Sequence, residues 1–355
     1  MNEEILFEET PGKNGNIGFI TLNRPKALNA LTYEMILALT QQLLIWEKLP
    51  HIKAIVIQSN NEKAFCAGGD LRKVYEIGKA GNLSILEFFR DEYRLNHLIF
   101  HYSKPYISLL NGITMGGGAG ISLHGSHPIA TEKLMFAMPE TGIGFFPDIG
   151  GSYFLSRCQG KLGTYFGLTG TRLNLEDAVY AGLISHHLPS DSLNAFLNTL
   201  VETSLGDSPK EKVSQIIQSF SKPLRESSFI QYRPLIDDCF SGKTIETIIS
   251  NLEKHNDSWC KKTIELLKTK SPTSLKITLQ QIQQGTAFHF DDCMKMEYRL
   301  ASHFLRSQDF YEGIRAVLID KDQKPHWQPN DLSAITETQV NQYFTSLGTK
   351  ELTFE

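Results

Sequence analysis

Two carboxylates eight residues apart, Glu140 and Asp148, sit among Pro and Gly in MPETGIGFFPDIGG and mark where this chain of 355 residues could do chemistry. Upstream of them, NGITMGGGAG carries three consecutive glycines, Gly116, Gly117 and Gly118. Glycine lets the backbone turn tightly and approach a ligand that a Cβ would hold off. A helix opened by such a turn points unpaired N–H groups at whatever lies before it. Backbone donors that hold a carbonyl oxygen, together with acids that attack or move protons, amount to acyl chemistry. The plainer alternatives stand beside this reading. Glycine turns also serve purely structural ends, and Asp148 would suit as the N-cap of a helix opening at Gly150–Gly151.

A second glycine turn lies in KAFCAGGDL, residues 63–71, where Gly68 and Gly69 precede Asp70. Asp70 reads first as a helix N-cap and only second as a chemical group. Cys66 in the same stretch has no His near it in sequence, and a buried Cys is commonly a small hydrophobe. Glu92 falls on the face of a helix otherwise lined by Phe88, Leu95 and Ile99. An acid there must be hydrogen-bonded, paired or kept neutral, as a structural partner of a base such as Arg or as a wall of an active site. His186 and His187 point to opposite sides of a strand and have no acidic ligand set with them, so no metal is expected.

The elements that position these residues alternate. IGFITL (17–22), AIVIQS (54–59) and YISLL (106–110) read as strands. Helices are expected from Thr32 to about Leu49, with Met35, Leu39, Leu43 and Trp46 on one face, and from Ser84 to about Phe100. This alternation indicates an α/β organisation. Beyond residue 205 strand signals fade, and helical periodicity marks 209–220, 243–254, 257–269, 273–284 and 290–306, with no catalytic constellation among them. Two parts are therefore expected: an α/β core over 1–205 that carries the chemistry, and an α-helical region over 206–355 packed on it. Neither dinucleotide nor P-loop glycine patterns occur in the required context, and no GxSxG elbow supports a serine hydrolase.

Composition narrows the partners. A net charge of −4 and a pI near 6.3 argue against a nucleic-acid surface, while leaving room for the few cations that CoA phosphates need. The five cysteines are odd in number and show no metal-ligand spacing, which suits reduced thiols. MNEEILFEET lacks the basic and apolar regions of a signal peptide, and no apolar run approaches the ~20 residues of a membrane span. The expected compartment is the cytoplasm, or an organelle matrix if a transit peptide has been removed.

NRPKALNAL, KAFCAGGDL, NGITMGGG and MPETGIGFFPDIGG occur in an order and at spacings that resemble the enoyl-CoA hydratase/isomerase (crotonase) superfamily. The longer run from Asn111 to Leu155 and the C-terminal QDFYEGIRAVLIDKDQKPHWQP are similar to its 3-hydroxyisobutyryl-CoA hydrolase branch, with Asn111 where that branch has His. The resemblance implies a crotonase-like spiral of ββα units with an α-helical C-terminal region. It implies an oxyanion hole made by the Gly69 and Gly117 N–H groups, and backbone near Lys26, Ala27, Leu28 and Ala67 against the nucleotide end of CoA. Hydratases of the superfamily use two glutamates; Glu140 matches one, but Gly120 stands at the other. Asp148 and Glu92 instead match the hydrolases. The implied activity is hydrolysis of a short 3-hydroxyacyl-CoA, most of all 3-hydroxyisobutyryl-CoA, a step of valine catabolism. In it Glu140 attacks or activates water, Asp148 serves the 3-hydroxyl or the leaving thiolate, and Glu92 orients. CoA enters as part of the substrate, with no metal and no other cofactor. Relatives are often trimers or paired trimers, and the helical C-terminal region points to a smaller homo-oligomer. The rivals are a hydratase or isomerase on the same fold and a non-catalytic binding relative.

Overall fold

The computed structural model describes residues 3–82 and 84–354. Its strands are β1 (Ile5–Gly12), β2 (Gly15–Leu22), β3 (Ile52–Ser59), β4 (Ala64–Cys66), β5 (Tyr106–Leu110), β6 (Ile113–Met115), β7 (His127–Ala130), β8 (Met135–Ala137) and β9 (His186–His187). They form a six-stranded sheet in the order β1–β2–β3–β5–β7–β9 and a three-stranded one in the order β4–β6–β8. The strands expected at 17–22, 54–59 and 106–110 are neighbours in the larger sheet. Phe19 lies opposite Val56, and Val56 opposite Ile107, all running parallel. Parallel strands covered on both faces read as continuous apolar runs, which is why β3 and β5 were legible. β1 pairs antiparallel with β2 at the sheet edge, is largely solvated and ends in Pro11–Gly12, so it shows no such run.

The chain divides into two compact units, and the division is not at residue 205. The sheet unit comprises Met1–Gly69, Arg94–Phe136 and Leu173–Ser227; the helical unit comprises Asp70–Tyr93, Ala137–Arg172 and Ser228–Glu355. The reason is packing. Ile17, Val56, Ile107, Leu109 and Ile129 of the sheet are buried against Phe196 and Leu200 of helix Leu193–Glu202, and against Val213 and Ile217 of helix Pro209–Phe220. The first helix past residue 205 therefore completes the sheet's own core, and local periodicity does not reveal which surface a helix covers.

Within the sheet unit, helix Tyr33–Lys48 starts where expected, because Thr32 Oγ1 accepts from Met35 N at 3.2 Å. It buries Met35, Leu39, Leu43 and Trp46, and Trp46 Nε1 donates to Glu9 Oε1 of β1 at 3.0 Å. The smaller sheet positions two glycine turns. β4 and β6 run parallel with Ala64 opposite Ile113, so the turns that follow them emerge at the same end of adjacent strands. Gly118 lies so close to β4 that a Cβ on it would stand 2.3 Å from the Cys66 carbonyl oxygen.

The helical unit holds the helices expected near 243–254, 257–269, 273–284 and 290–306, observed as Ile245–Lys254, Ser258–Lys268, Pro272–Gly285 and Phe290–Phe304. It also holds Arg233–Cys239, Gln308–Ile314 and Glu337–Tyr343, each of seven residues and too short to display a helical period. Phe145 centres an aromatic cluster in which the rings of Phe89, Phe304 and Phe310 lie 5.6, 5.5 and 5.0 Å from its own. Among the described residues no helix is long and apolar enough to cross a membrane.

The close approach at Gly118 gives a stability test. Gly118→Ala forces the Cys66 backbone aside, and overpacking of this kind costs about 1–3 kcal/mol. The variant is expected to show a lower urea midpoint at an unchanged slope, and a wild-type midpoint would show that the two turns are not held in contact.

Candidate active site

In the sheet unit, the AGGD and GGG turns meet. Gly68 has φ +113°, a conformation that side chains rarely adopt, and a Cβ there would lie 3.4 Å from the Met115 carbonyl oxygen and 3.8 Å from Gly117 N. Gly69 bridges to Leu31, whose N–H donates to Gly68 O at 2.8 Å. Among the described residues neither the Gly69 nor the Gly117 N–H donates to a protein acceptor. Two adjacent turns thus offer backbone donors, the arrangement that can receive a developing oxyanion.

The loop expected to meet CoA is braced on this same unit. Pro25–Ala27 forms one turn of 3-10 helix, and Leu28 follows with φ +51°. Ala67 N donates to Leu28 O at 3.0 Å, and Asn29 Nδ2 donates to Phe65 O at 3.0 Å and to Ser59 Oγ at 2.7 Å. Lys26, Ala27, Leu28 and Ala67 are thereby brought together, with Lys26 exposed. Asp70 caps helix Leu71–Lys79, its Oδ1 accepting from Lys73 N, as its plain reading holds.

The helical unit gathers four buried carboxyls: Glu92, Glu140, Asp148 and Glu297, exposed by 3, 6, 6 and 0%. Glu92 comes from helix Ile85–Phe100, and among the described residues no Arg partners it; the charge that acts on it is that of Asp148. Burial first, and Asp148 second, push its carboxyl well above the usual range. Glu140 opens a short 3-10 turn, Glu140–Ile143, that packs tightly on helix Gln308–Ile314: a Cβ on Gly144 would stand 2.1 Å from Asp309 O. Burial raises the Glu140 carboxyl well above its usual value, and the Asp148 and Glu297 charges add to it. Among the described residues Glu92 Oε1 and Glu140 Oε2 have no hydrogen-bond partner.

Asp148 is not a helix cap. The helix Gly151–Ser156 has Gly150 at its N-cap and no side-chain cap of its own residues. Asp148 Oδ2 instead accepts from Tyr93 Oη at 2.8 Å. Burial raises Asp148 to about 7, and the Tyr93 hydroxyl, which favours the charged form, holds it from going further. Its neighbour Ile149 sits at φ +53°, a left-handed conformation that costs a β-branched residue about 1–3 kcal/mol and persists only where the surroundings enforce it.

Glu297 and Tyr93 are residues that the sequence reading did not select. Tyr93 follows Glu92 and looks like any core aromatic. Glu297 lies mid-helix in the part expected to hold no catalytic constellation, and the structure buries it beside the other acids. Its only sequence signal is an acid at helical spacing among buried Cys293, Met294, Leu300 and Ala301. Cys66 and the other four cysteines are buried and form no disulfide among the described residues, and burial pushes the Cys158, Cys239 and Cys293 thiols up to about 12. Thiols so protonated are poor nucleophiles. His186 and His187 belong to no cluster of ligand atoms among the described residues. Asp238, Cys239 and His255 do approach one another, with His255 Nε2 and Asp238 Oδ2 joined at 2.9 Å as a partly exposed pair.

A family model of enoyl-CoA hydratase/isomerase matches residues 17–344. The chain belongs to that family. The mitochondrial 3-hydroxyisobutyryl-CoA hydrolase of Homo sapiens is 46% identical over 99% of this chain and 91% of its own length. Among solved structures, a carnitinyl-CoA dehydratase from Mycobacterium thermoresistibile is 36% identical, with a TM-score of 0.91 over 100% of this chain and 99% of that one. An enoyl-CoA hydratase from Rhodobacter sphaeroides is 32% identical, with a TM-score of 0.88 over 99% of this chain and 100% of that one. The crotonase fold and its helical C-terminal region are therefore those of this chain.

The Tyr93–Asp148 bond predicts a titration. Tyr93→Phe removes the donor that favours the Asp148 carboxylate, so the pKa of Asp148 is expected to rise above its value of about 7. Carbonyl NMR of 13C-aspartate-labelled protein would read this directly, and an unmoved titration would detach Tyr93 from Asp148.

Proposed function

We propose that this family member hydrolyses a short 3-hydroxyacyl-CoA thioester, 3-hydroxyisobutyryl-CoA foremost, to 3-hydroxyisobutyrate and CoA, a step of valine catabolism. The observation that carries the reading is the set of acids: Glu140 buried with Asp148 and Glu92, while Gly120 occupies the place of a hydratase's second glutamate. The 46% identity to a 3-hydroxyisobutyryl-CoA hydrolase supports it. The solved relatives named as dehydratase and hydratase are less similar, at 36 and 32%.

The roles follow from the chemistry. As the thioester carbonyl is attacked, its oxygen gains charge, which the Gly69 and Gly117 N–H groups stabilise; removing one donor of this kind typically costs ~10²–10³ in rate. Glu140 as carboxylate either adds to the carbonyl carbon or takes a proton from the water that does. In the first route the C–S bond breaks to leave an anhydride that water then cleaves; in the second, water enters directly. Oxygen-18 from solvent water accumulates in Glu140 only in the first. The departing thiolate needs a proton, and a thiol of this type has a pKa of about 8.5. Asp148, held at about 7, is matched to supply it while its carboxyl faces the substrate's 3-hydroxyl. Glu92, kept neutral by burial, orients the acyl group. Lys26 and the backbone of Ala27, Leu28 and Ala67 receive the nucleotide end of CoA. No step calls for a metal or redox group.

Five cysteines without a disulfide among the described residues suit a reducing compartment, whether the cytoplasm or an organelle matrix, and the human relative is named as mitochondrial. The chain is read as a homo-oligomer on family grounds, and sedimentation equilibrium gives its size.

The direct test is free-thiol release from 3-hydroxyisobutyryl-CoA, 3-hydroxypropionyl-CoA and crotonyl-CoA side by side. Faster release from the hydroxylated thioesters than from those lacking the hydroxyl is expected; hydration of crotonyl-CoA without thiol release would make the protein a hydratase. Glu140→Gln should lower hydrolysis by at least ~10² while acyl-CoA still binds, because only the transition state loses an interaction. Turnover near wild type would remove Glu140 from the mechanism. Asp148→Asn should cost 3-hydroxyacyl substrates about 10–100-fold more than thioesters lacking the hydroxyl. The same variant removes a charge that raises the Glu140 pKa, so the acid limb of kcat/KM is expected to move to lower pH. A limb that stays in place would mean that Asp148 and Glu140 do not sense each other.

A further inference from the structure

We propose that Glu297 is a positioning residue for this chemistry: from helix Phe290–Phe304 it holds the 148–152 turn in the shape that presents the Asp148 carboxyl. The inference rests on the hydrolase reading above and extends it to a residue far away in sequence. Glu297 is fully buried, and both its oxygens are engaged by the turn. Oε2 accepts from Gly150 N at 2.7 Å, Oε1 accepts from Ser152 N at 2.8 Å, and the Ser152 hydroxyl also donates to Oε1. On the other side of Asp148, Gln281 Nε2 of helix Pro272–Gly285 donates to Pro147 O at 2.5 Å. The turn is thus gripped on both sides of Asp148, where Ile149 is in the left-handed region.

An ordinary cap does not account for this grip. Helix Gly151–Ser156 has only six residues, and its N-cap Gly150 takes φ +86°, a left-handed conformation rather than the extended one in which a Ser, Thr, Asp or Asn cap works. The chain instead brings a carboxyl from a separate helix into a dry interior, where charge is costly to place. The two oxygens of one carboxyl, each fixing a different N–H group, define the turn's orientation in a way that a single cap does not. The next residue on the helix serves the same end. Tyr298 packs edge-on to Tyr93 at 6.4 Å and accepts from Arg90 Nε at 3.3 Å, and Tyr93 in turn donates to Asp148. Adjacent residues of one helix therefore brace the backbone beside Asp148 and the tyrosine that holds its side chain. The ionisable groups acting on this region are Glu92, Tyr93, Glu140 and Asp148, with Cys293 beside Glu297.

The test is a double-mutant cycle read as substrate selectivity. Glu297→Gln keeps the volume but turns an amide NH₂ toward one of the two backbone donors, so the turn loosens. It is expected to lower kcat/KM on 3-hydroxyisobutyryl-CoA about 10-fold more than on isobutyryl-CoA, and to cost no further selectivity in an Asp148→Asn background. Equal losses on both substrates, equal losses in both backgrounds, or wild-type kinetics in a folded Glu297→Gln protein would overturn the inference. If Glu297→Gln does not fold, Ser152→Ala removes one of the three donors and is judged by the same two comparisons, with a smaller selectivity loss expected. The wild-type and Asp148→Asn proteins separate the two levels of argument. A wild type indifferent to the 3-hydroxyl, or an Asp148→Asn variant with unchanged selectivity, overturns the hydrolase reading and this inference with it. Selectivity that is lost in Asp148→Asn yet kept in Glu297→Gln overturns this inference alone.

Discussion

The helical unit depends on how it carries out of water four carboxyl groups that act on one another. Ionising all of Glu92, Glu140, Asp148 and Glu297 there would set like charges against one another in a medium that screens them poorly. Protons are therefore shared among them, and the environment of each decides who keeps one. Glu92 and Glu140 each leave an oxygen without a hydrogen-bond donor and are pushed well above the usual range. Asp148 accepts from the Tyr93 hydroxyl and from a backbone N–H, and is held near 7; Glu297 accepts from Gly150 N, Ser152 N and the Ser152 hydroxyl, and burial still raises it to about 8. Such a set titrates as a whole, and its apparent values belong to the group of acids more than to any one of them. The arrangement is what acid–base work near neutral pH requires, since an acid and a base with ordinary carboxylate values would both be ionised and useless as proton donors.

That constraint explains the stiffness around the acids. A buried carboxyl works only if its neighbours stay put, and the segment bearing Glu140 and Asp148 is tied at many points. Thr141 Oγ1 bonds to Leu168 O, Ser271 N to Thr141 O, and Asp309 accepts from Ser271 Oγ and Gln328 N. The aromatic cluster about Phe145 fills the space behind it with side chains that have little freedom to move. The left-handed Ile149 and Gly150 are tolerated because these ties over-determine the turn. The sheet unit solves a different problem with different means. It places glycine turns at the ends of two adjacent parallel strands.

Much of this was written locally. The strands β2, β3 and β5 were legible because their residues are apolar on both faces, and helix Tyr33–Lys48 because Thr32, an apolar stripe and a suitable length coincide. The glycine turns, Glu140 and Asp148 were legible because glycine and proline in fixed spacing restrict the backbone whatever surrounds it, and because their motifs resemble those of a family. Ala67 meets Leu28 because Leu28 and Asn29 take up positive φ within one short loop.

What the tertiary structure decided is the meaning of residues whose local surroundings are silent. Asp148 has the sequence context of a helix cap, and only the approach of Tyr93 and Glu297 from other helices makes it a buried acid with a partner. Glu92 could have met an arginine; packing gave it another carboxyl instead. Glu297 has no motif at all, since a carboxyl at helical spacing among apolar residues is equally consistent with many folds. Helix Pro209–Phe220 reads as the start of a helical region, yet its apolar face covers the large sheet. Sequence specifies the torsions a segment prefers and the face it must bury. Which distant group it meets on that face, and hence whether an acid there keeps its proton, is set by the packed interior, where desolvation and neighbouring charge together outweigh any local preference.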